Sequence, residues 1–111
     1  MLRIFVTVLA FVMLTGFSEV DALTRFGGGW QAADETYGTK GAIQIDGEKR
    51  SIRAASYSVL IDGAIDRIDI IGASAVFHVG KKSVIVYSGP DDNTIEARVG
   101  DTPVMRFVRV P

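Results

Sequence analysis

The chain carries one histidine, His78, and no cysteine. Those two counts bound its chemistry. A metal centre needs several nitrogen, sulfur or oxygen ligands at set spacings, and no such cluster accompanies His78. A Ser-His-Asp set would draw on Ser56 or Ser58 with Asp69. Nucleophile and base must approach within about 3 Å. The strand register derived below puts Ser58 two strands from His78, roughly 10 Å away for strands spaced about 4.8 Å, so the chain reads as non-enzymatic. The stretch "PDDNT", residues 90–94, brings carboxylates that a calcium ion could use. Proline followed by Asp-Asp-Asn is also what a tight turn requires, and the turn is the expected reading. "TRFGGGWQ", residues 24–31, has the glycines of a phosphate loop without their spacing. A dinucleotide fingerprint needs G-x-G-x-x-G between a strand and a helix, and no helix pattern follows Trp30. "GASAVFHVGKKS" has seven residues between its glycines, too many for a Walker loop. No cofactor is expected.

The elements that must position these residues follow from length and pattern. A chain of 111 residues allows one small domain. Residues 4–14 form an apolar run of 11 after Arg3. Thr15 and Gly16 break the run, and Val20 and Ala22 are small residues of the kind a signal peptidase reads. This is the layout of a secretory signal peptide over residues 1–22, with a single β-domain over residues 23–111. An 11-residue helix reaches only about 16 Å, against a hydrocarbon core of about 30 Å, so a stable membrane anchor is not expected. A periplasmic or extracellular location follows. Removing residues 1–22 takes away Arg3, Glu19 and Asp21 and leaves 11 basic and 11 acidic side chains. Such a domain has no electrostatic attraction to nucleic acid or to an anionic membrane. Without cysteine it must rely on packing or on a partner.

Beyond residue 40 Ile and Val alternate with polar residues between recurring turn signals, which predicts an all-β, antiparallel domain. Apolar residues must face apolar ones across each hairpin. A loop over residues 47–50 pairs Ile45 with Ile52 and Ile43 with Ala54. A turn at Asp62-Gly63 pairs Tyr57 with Ile68 and Ala55 with Ile70. A turn at Gly72-Ala73 pairs Ile68 with Phe77. A turn at Lys81-Lys82 pairs Phe77 with Val86. Later loops pair Val86 with Ala97, Val84 with Val99, Ala97 with Met105 and Ile95 with Phe107. The inward parity differs between the first hairpin and the rest, so a β-bulge is expected at Ala54-Ala55. The expected fold is a small antiparallel meander, a barrel or half-barrel of seven or eight short strands.

Gly28-Gly29-Trp30 is similar to the G-x-W signature on the first strand of lipocalin-like barrels. It also resembles the element that opens the small barrels of bacterial periplasmic metalloprotease inhibitors. The resemblance implies a tryptophan that closes the base of a barrel. The residues themselves suggest the same: glycines let the backbone pass beneath a large indole, and Trp30 caps the core.

The register also defines the opposite face. It places Ser58 opposite Arg67, Ser56 opposite Asp69, Arg67 opposite His78, Asp69 opposite Val76, His78 opposite Ile85, and Val76 opposite Tyr87. Glu96 and Arg98 lie beyond, beside Tyr87 and Ile85. Val76, Ile85 and Tyr87 thus form an apolar centre ringed by Arg67, His78, Glu96 and Arg98, the pattern of a protein-binding surface. The expected function is an exported binding protein, an inhibitor or accessory subunit with a protein partner. The alternatives are a lipocalin-like carrier of a small apolar ligand and a structural envelope protein.

Overall fold

Alternation of apolar and polar residues becomes nine antiparallel strands among the described residues, one or two more than the turn signals suggest. The computed structural model describes residues 17–33 and 41–111. A short helix, α1 (Glu19–Phe26), leads into β1 (Gly28–Ala32), β2 (Ala42–Asp46), β3 (Ser51–Ser56), β4 (Val59–Ala64) and β5 (Arg67–Ile71). Then follow β6 (Ser74–Val79), β7 (Lys82–Ser88), β8 (Thr94–Val99) and β9 (Met105–Arg109). One sheet holds them in the order β4-β3-β2-β1-β9-β8-β7-β6-β5. Every neighbour is a chain neighbour except β1 and β9, where the first strand meets the last. The sheet therefore curls into a half-barrel whose two edges are β4 and β5. Those edges are joined by Ile65 and Asp66, whose amides donate to the Arg50 carbonyl at 2.7 Å and the His78 carbonyl at 2.8 Å.

The interior is solid. Ile43 and Ile45, Ile52 and Ala54, Ile61, Ile68, Ala75 and Phe77, Val84 and Val86, Ile95, Ala97 and Val99, and Phe107 all turn inward and are buried. Strand β4 also packs across the hollow against β6, β7 and β8. A Cβ on Gly63 would lie 3.1 Å from the Val79 side chain, so this close approach accounts for the glycine. Helix α1 plugs one end. Its Ala22 and Phe26 are fully buried, and the Phe26 ring meets the edge of Phe77 with centroids 6.4 Å apart. Burying one phenylalanine side chain is worth about 1.5–3 kcal/mol, so the pair forms a major part of the core.

The helix starts where its sequence allows. Ser18 is the N-cap, and Ser18 and Asp21 satisfy each other's backbone amides in a capping box. Arg25 lies in the last turn, where a cation suits the helix dipole. The expected boundary between residues 22 and 23 falls inside this helix. Residues 1–16 of the expected leader lie outside the described residues.

Seven expected registers agree with the structure, among them Ile43 with Ala54 and Ala97 with Met105. Ile45 pairs with Ile52, Ile68 with Phe77, Val86 with Ala97, Val84 with Val99, and Ile95 with Phe107. Three features differ. First, Asp62-Gly63 lies within β4 and is not a turn. The turn is Tyr57-Ser58, which sets Ser56 against Val59 and Ala55 against Leu60. Tyr57 takes a left-handed φ of 56° there and is 44% exposed, so it faces solvent rather than Ile68. Second, β3 pairs continuously on both sides, so no bulge forms at Ala54-Ala55. The two-residue turn itself converts even-numbered inward residues on β3 to odd-numbered ones on β4. Third, the turn between β6 and β7 is Gly80-Lys81, with Gly80 at φ 61°. This glycine supplies the positive φ that tight hairpins demand. Phe77 consequently pairs with Val84 and Ala75 with Val86, a two-residue shift that keeps both side chains inside.

The glycine run also finds its reason. Gly27 ends α1, and a Cβ there would collide with the Leu23 carbonyl oxygen. Gly28 turns the chain into β1 at φ 103°, a value that side chains disfavour. The helix precedes the glycines rather than following them, the reverse of a phosphate loop.

Candidate functional site

Side chains at alternate positions of β5 to β8 point away from the core, and this outer face holds the seven candidate residues. The β5 strand contributes Arg67 and Asp69, with Ile71 at its end. Asp69 pairs with Val76, Val76 with Ile85, and Ile85 with Arg98, forming one row across four strands. A second row pairs Arg67 with His78 and His78 with Ser83. A third pairs Tyr87 with Glu96 and Glu96 with Arg106. The structure thus brings Arg67, Val76, His78, Ile85, Tyr87, Glu96 and Arg98 onto one face, with two pairings corrected. His78 faces Ser83 rather than Ile85, and Val76 faces Ile85 rather than Tyr87. Both changes follow from the turn at Gly80-Lys81. The Val76–Ile85 contact becomes direct, which tightens the apolar centre.

Two expected neighbours are absent from this face. Ser56 points inward from β3, is buried, and donates to the Met105 sulfur at 3.1 Å. Ser58 sits in the turn between β3 and β4. Neither stands beside Asp69 or Arg67, because β3 pairs with β4 and not with β5. Ser83 faces His78, but among the described residues no hydrogen bond joins the two side chains.

Charge concentrates at one corner. Asp69 accepts from His78 Nε2 at 2.8 Å and forms an ion pair with Arg67, whose Nε lies 3.2 Å from its carboxylate. An Arg67 terminal nitrogen lies 3.5 Å from the same His78 atom. The hydrogen bond from His78 holds the Asp69 carboxyl below its ordinary value; desolvation opposes it, and the charges of Arg67 and His78 add to the lowering. Across the sheet, Arg98 Nε donates to the Thr102 carbonyl at 3.0 Å, which fixes its stem along the loop between β8 and β9. Between these two corners lie half-buried Val76 and Ile85, flanked by exposed Tyr87. Ile71 is 66% exposed at the end of β5 and extends the apolar surface. The sequence signal for Ile71 is the period-two series Arg67, Asp69, Ile71 along β5.

A second polar node lies at the base of the half-barrel. Trp30 is 1% exposed, and its indole N–H donates to the Phe26 carbonyl at 2.8 Å. Arg109 stands over the indole with its guanidinium carbon 4.2 Å from the ring centroid. It also donates to the carbonyls of Gly27 at 2.7 Å, Arg25 at 2.9 Å and Asp92 at 3.1 Å. Those first two carbonyls belong to the end of α1, where helix carbonyls lack partners. Arg25 donates to the carbonyls of Asp91 and Asp92. Asp91 closes its own turn by accepting from the Asn93 amide at 2.8 Å. The "PDDNT" stretch is thereby occupied as a turn that receives two arginines. Arg109 was missed because its partner Trp30 lies at the opposite end of the chain, and only the β1–β9 pairing joins them.

The fold and these faces define a small antiparallel β half-barrel, plugged by a short helix and joined at mid-sheet by its first and last strands. A solved structure of similar fold is that of Treponema pallidum Tp0751 (pallilysin), with a TM-score of 0.58 over 79% of this chain and 83% of that one, at 15% sequence identity. Likeness at that identity establishes the fold alone. No protein-family profile matches the chain, and no curated protein matches its sequence. Among the described residues, no helix is long and apolar enough to cross a membrane.

Proposed function

We propose that this chain is an exported, non-enzymatic binding protein whose outer β5–β8 face receives a protein partner. One observation carries the reading: Val76 and Ile85 pair directly, with exposed Tyr87 beside them and charged residues on both flanks. An apolar centre with an aromatic residue and a charged rim is the anatomy of a protein interface. The charged rim supplies orientation, because Asp69 holds Arg67 and His78 in fixed positions. The export part of the proposal rests on the apolar run over residues 4–14. The solid interior weighs against a carrier: Phe26, Trp30, Phe77 and Phe107 fill the space that a small apolar ligand would need.

The test is a cross-linking capture from the native envelope with the wild-type chain and two variants, Tyr87→Ala and Arg67→Ala. A protein captured by the wild type and lost by both variants, at unchanged melting temperature, supports the face. Equal capture by all three places the binding surface elsewhere.

A further inference from the structure

We infer that the exported chain keeps residues 17–22, so that the leader is removed no later than the bond before Phe17. This rests on the export reading above and concerns where the folded unit begins. Five observations bear on the segment that cleavage after Ala22 would discard. Ser18 caps α1 through its reciprocal bonds with Asp21. Phe17 meets the edge of Phe26 with ring centroids 6.2 Å apart. Ala22 is fully buried in the core. Glu19 accepts from the Ile68 amide at 3.4 Å, satisfying a donor on the free edge of β5. Its other carboxyl oxygen lies 3.8 Å from Arg50, at the end of the loop between β2 and β3. Helix α1 thus ties the free edge of β5 to the loop between β2 and β3.

Cleavage after Ala22 would leave only Leu23 to Phe26 of the helix. Four residues make barely one turn, and such a fragment has neither a cap nor enough intrahelical bonds to persist. The plug under Phe77 would then depend on Phe26 alone, without the neighbours that orient it. A chain beginning at Phe17 retains every contact described.

The test is N-terminal sequencing and intact-mass measurement of the exported protein, produced from the full chain in a bacterial host. The expected first residue is Phe17 or one between Met1 and Phe17, with Met1 itself removed. A chain that begins at Leu23 overturns the inference and leaves the export reading intact. A chain that still begins at Met1 overturns both. A second measurement uses full-length Ser18→Ala and Asp21→Ala. If these residues are retained, each exported variant melts below the parent, by about 4–8 °C for loss of one cap in a domain of this size. Melting temperatures identical to the parent overturn the retention, since residues discarded with a leader cannot affect the fold.

Discussion

Arg109 and Trp30 are Cα partners across β9 and β1, and the guanidinium sits 4.2 Å from the indole centroid while binding the carbonyls that end α1. One side chain therefore joins the last strand, the first strand and the helix. Pairing of the two halves of the sheet and seating of the plug are coupled through it.

Arg109→Ala should cost about 2–4 kcal/mol, combining a lost cation–π contact with lost charged hydrogen bonds. Arg109→Lys should recover only a minor part, because an ammonium cannot reach several carbonyls in the fixed fork of a guanidinium. Urea titration followed by the fluorescence of the single tryptophan measures both variants. A loss below about 0.5 kcal/mol would mean that the stack is incidental.

Phe77→Ala should cost about 3–5 kcal/mol, the range for deleting a buried aromatic ring. Phe77 is fully buried against Phe26, so the cavity would open directly beneath the plug. Denaturant unfolding of the variant reads this effect. A near-neutral result would contradict the inward placement of β6.

Tyr57→Gly should raise stability, by up to about 1–2 kcal/mol. The tyrosine occupies a left-handed conformation that costs a side chain about that much and glycine almost nothing. Little packing is lost, because the ring is 44% exposed. A thermal melt decides the sign. Marked destabilisation would show that the ring is buried and that Tyr57-Ser58 is not the turn.

Asp69→Asn should remove a pH-dependent part of the stability. The folded carboxyl titrates below its ordinary 3.8, so its contribution is fully present above that value and fades as pH falls through the folded pKa. The melting-temperature gap between wild type and variant should therefore be constant near neutrality and narrow in acid. A gap that stays unchanged into strong acid would exclude ionisation of Asp69 as its source.

Tyr87→Ala should change stability by less than about 0.5 kcal/mol, as exposed substitutions generally do. Its effect on a partner should be about 2 kcal/mol or more if it is a hot spot of the proposed interface. Titration calorimetry against the captured partner, beside a thermal melt, separates the two quantities. Unfolding of the variant would instead make Tyr87 part of the core.

Much of the site was legible because hairpins are local. Loops of two to a few residues leave little freedom in pairing, and an error of one residue would turn Ile68, Phe77, Val84 or Val86 outward. The shift between β6 and β7 escaped that test because it moved the pairing by two, which preserves the face. It still altered which outer residues touch, exchanging a His78–Ile85 contact for Val76–Ile85. The Tyr57-Ser58 turn was hidden for a different reason. A tyrosine at positive φ has no turn signature, whereas Asp62-Gly63 has a strong one that the strand uses for close packing instead. Helix α1 was hidden by its position next to an apolar run, although Ser18 and Asp21 have the spacing of a capping box.

By itself, the sequence determined the all-β class, the alternating faces and the pairing of most consecutive strands, because these depend on side-chain period and short connections. Only the tertiary structure decided what depends on distant segments. The meeting of β1 with β9, the stacking of Arg109 on Trp30, the collapse of β4 onto β6 to β8, and the docking of α1 all join residues far apart in the chain. Such contacts form because a curled sheet with two free edges must bury its concave face, and no local pattern states which segment will cover it.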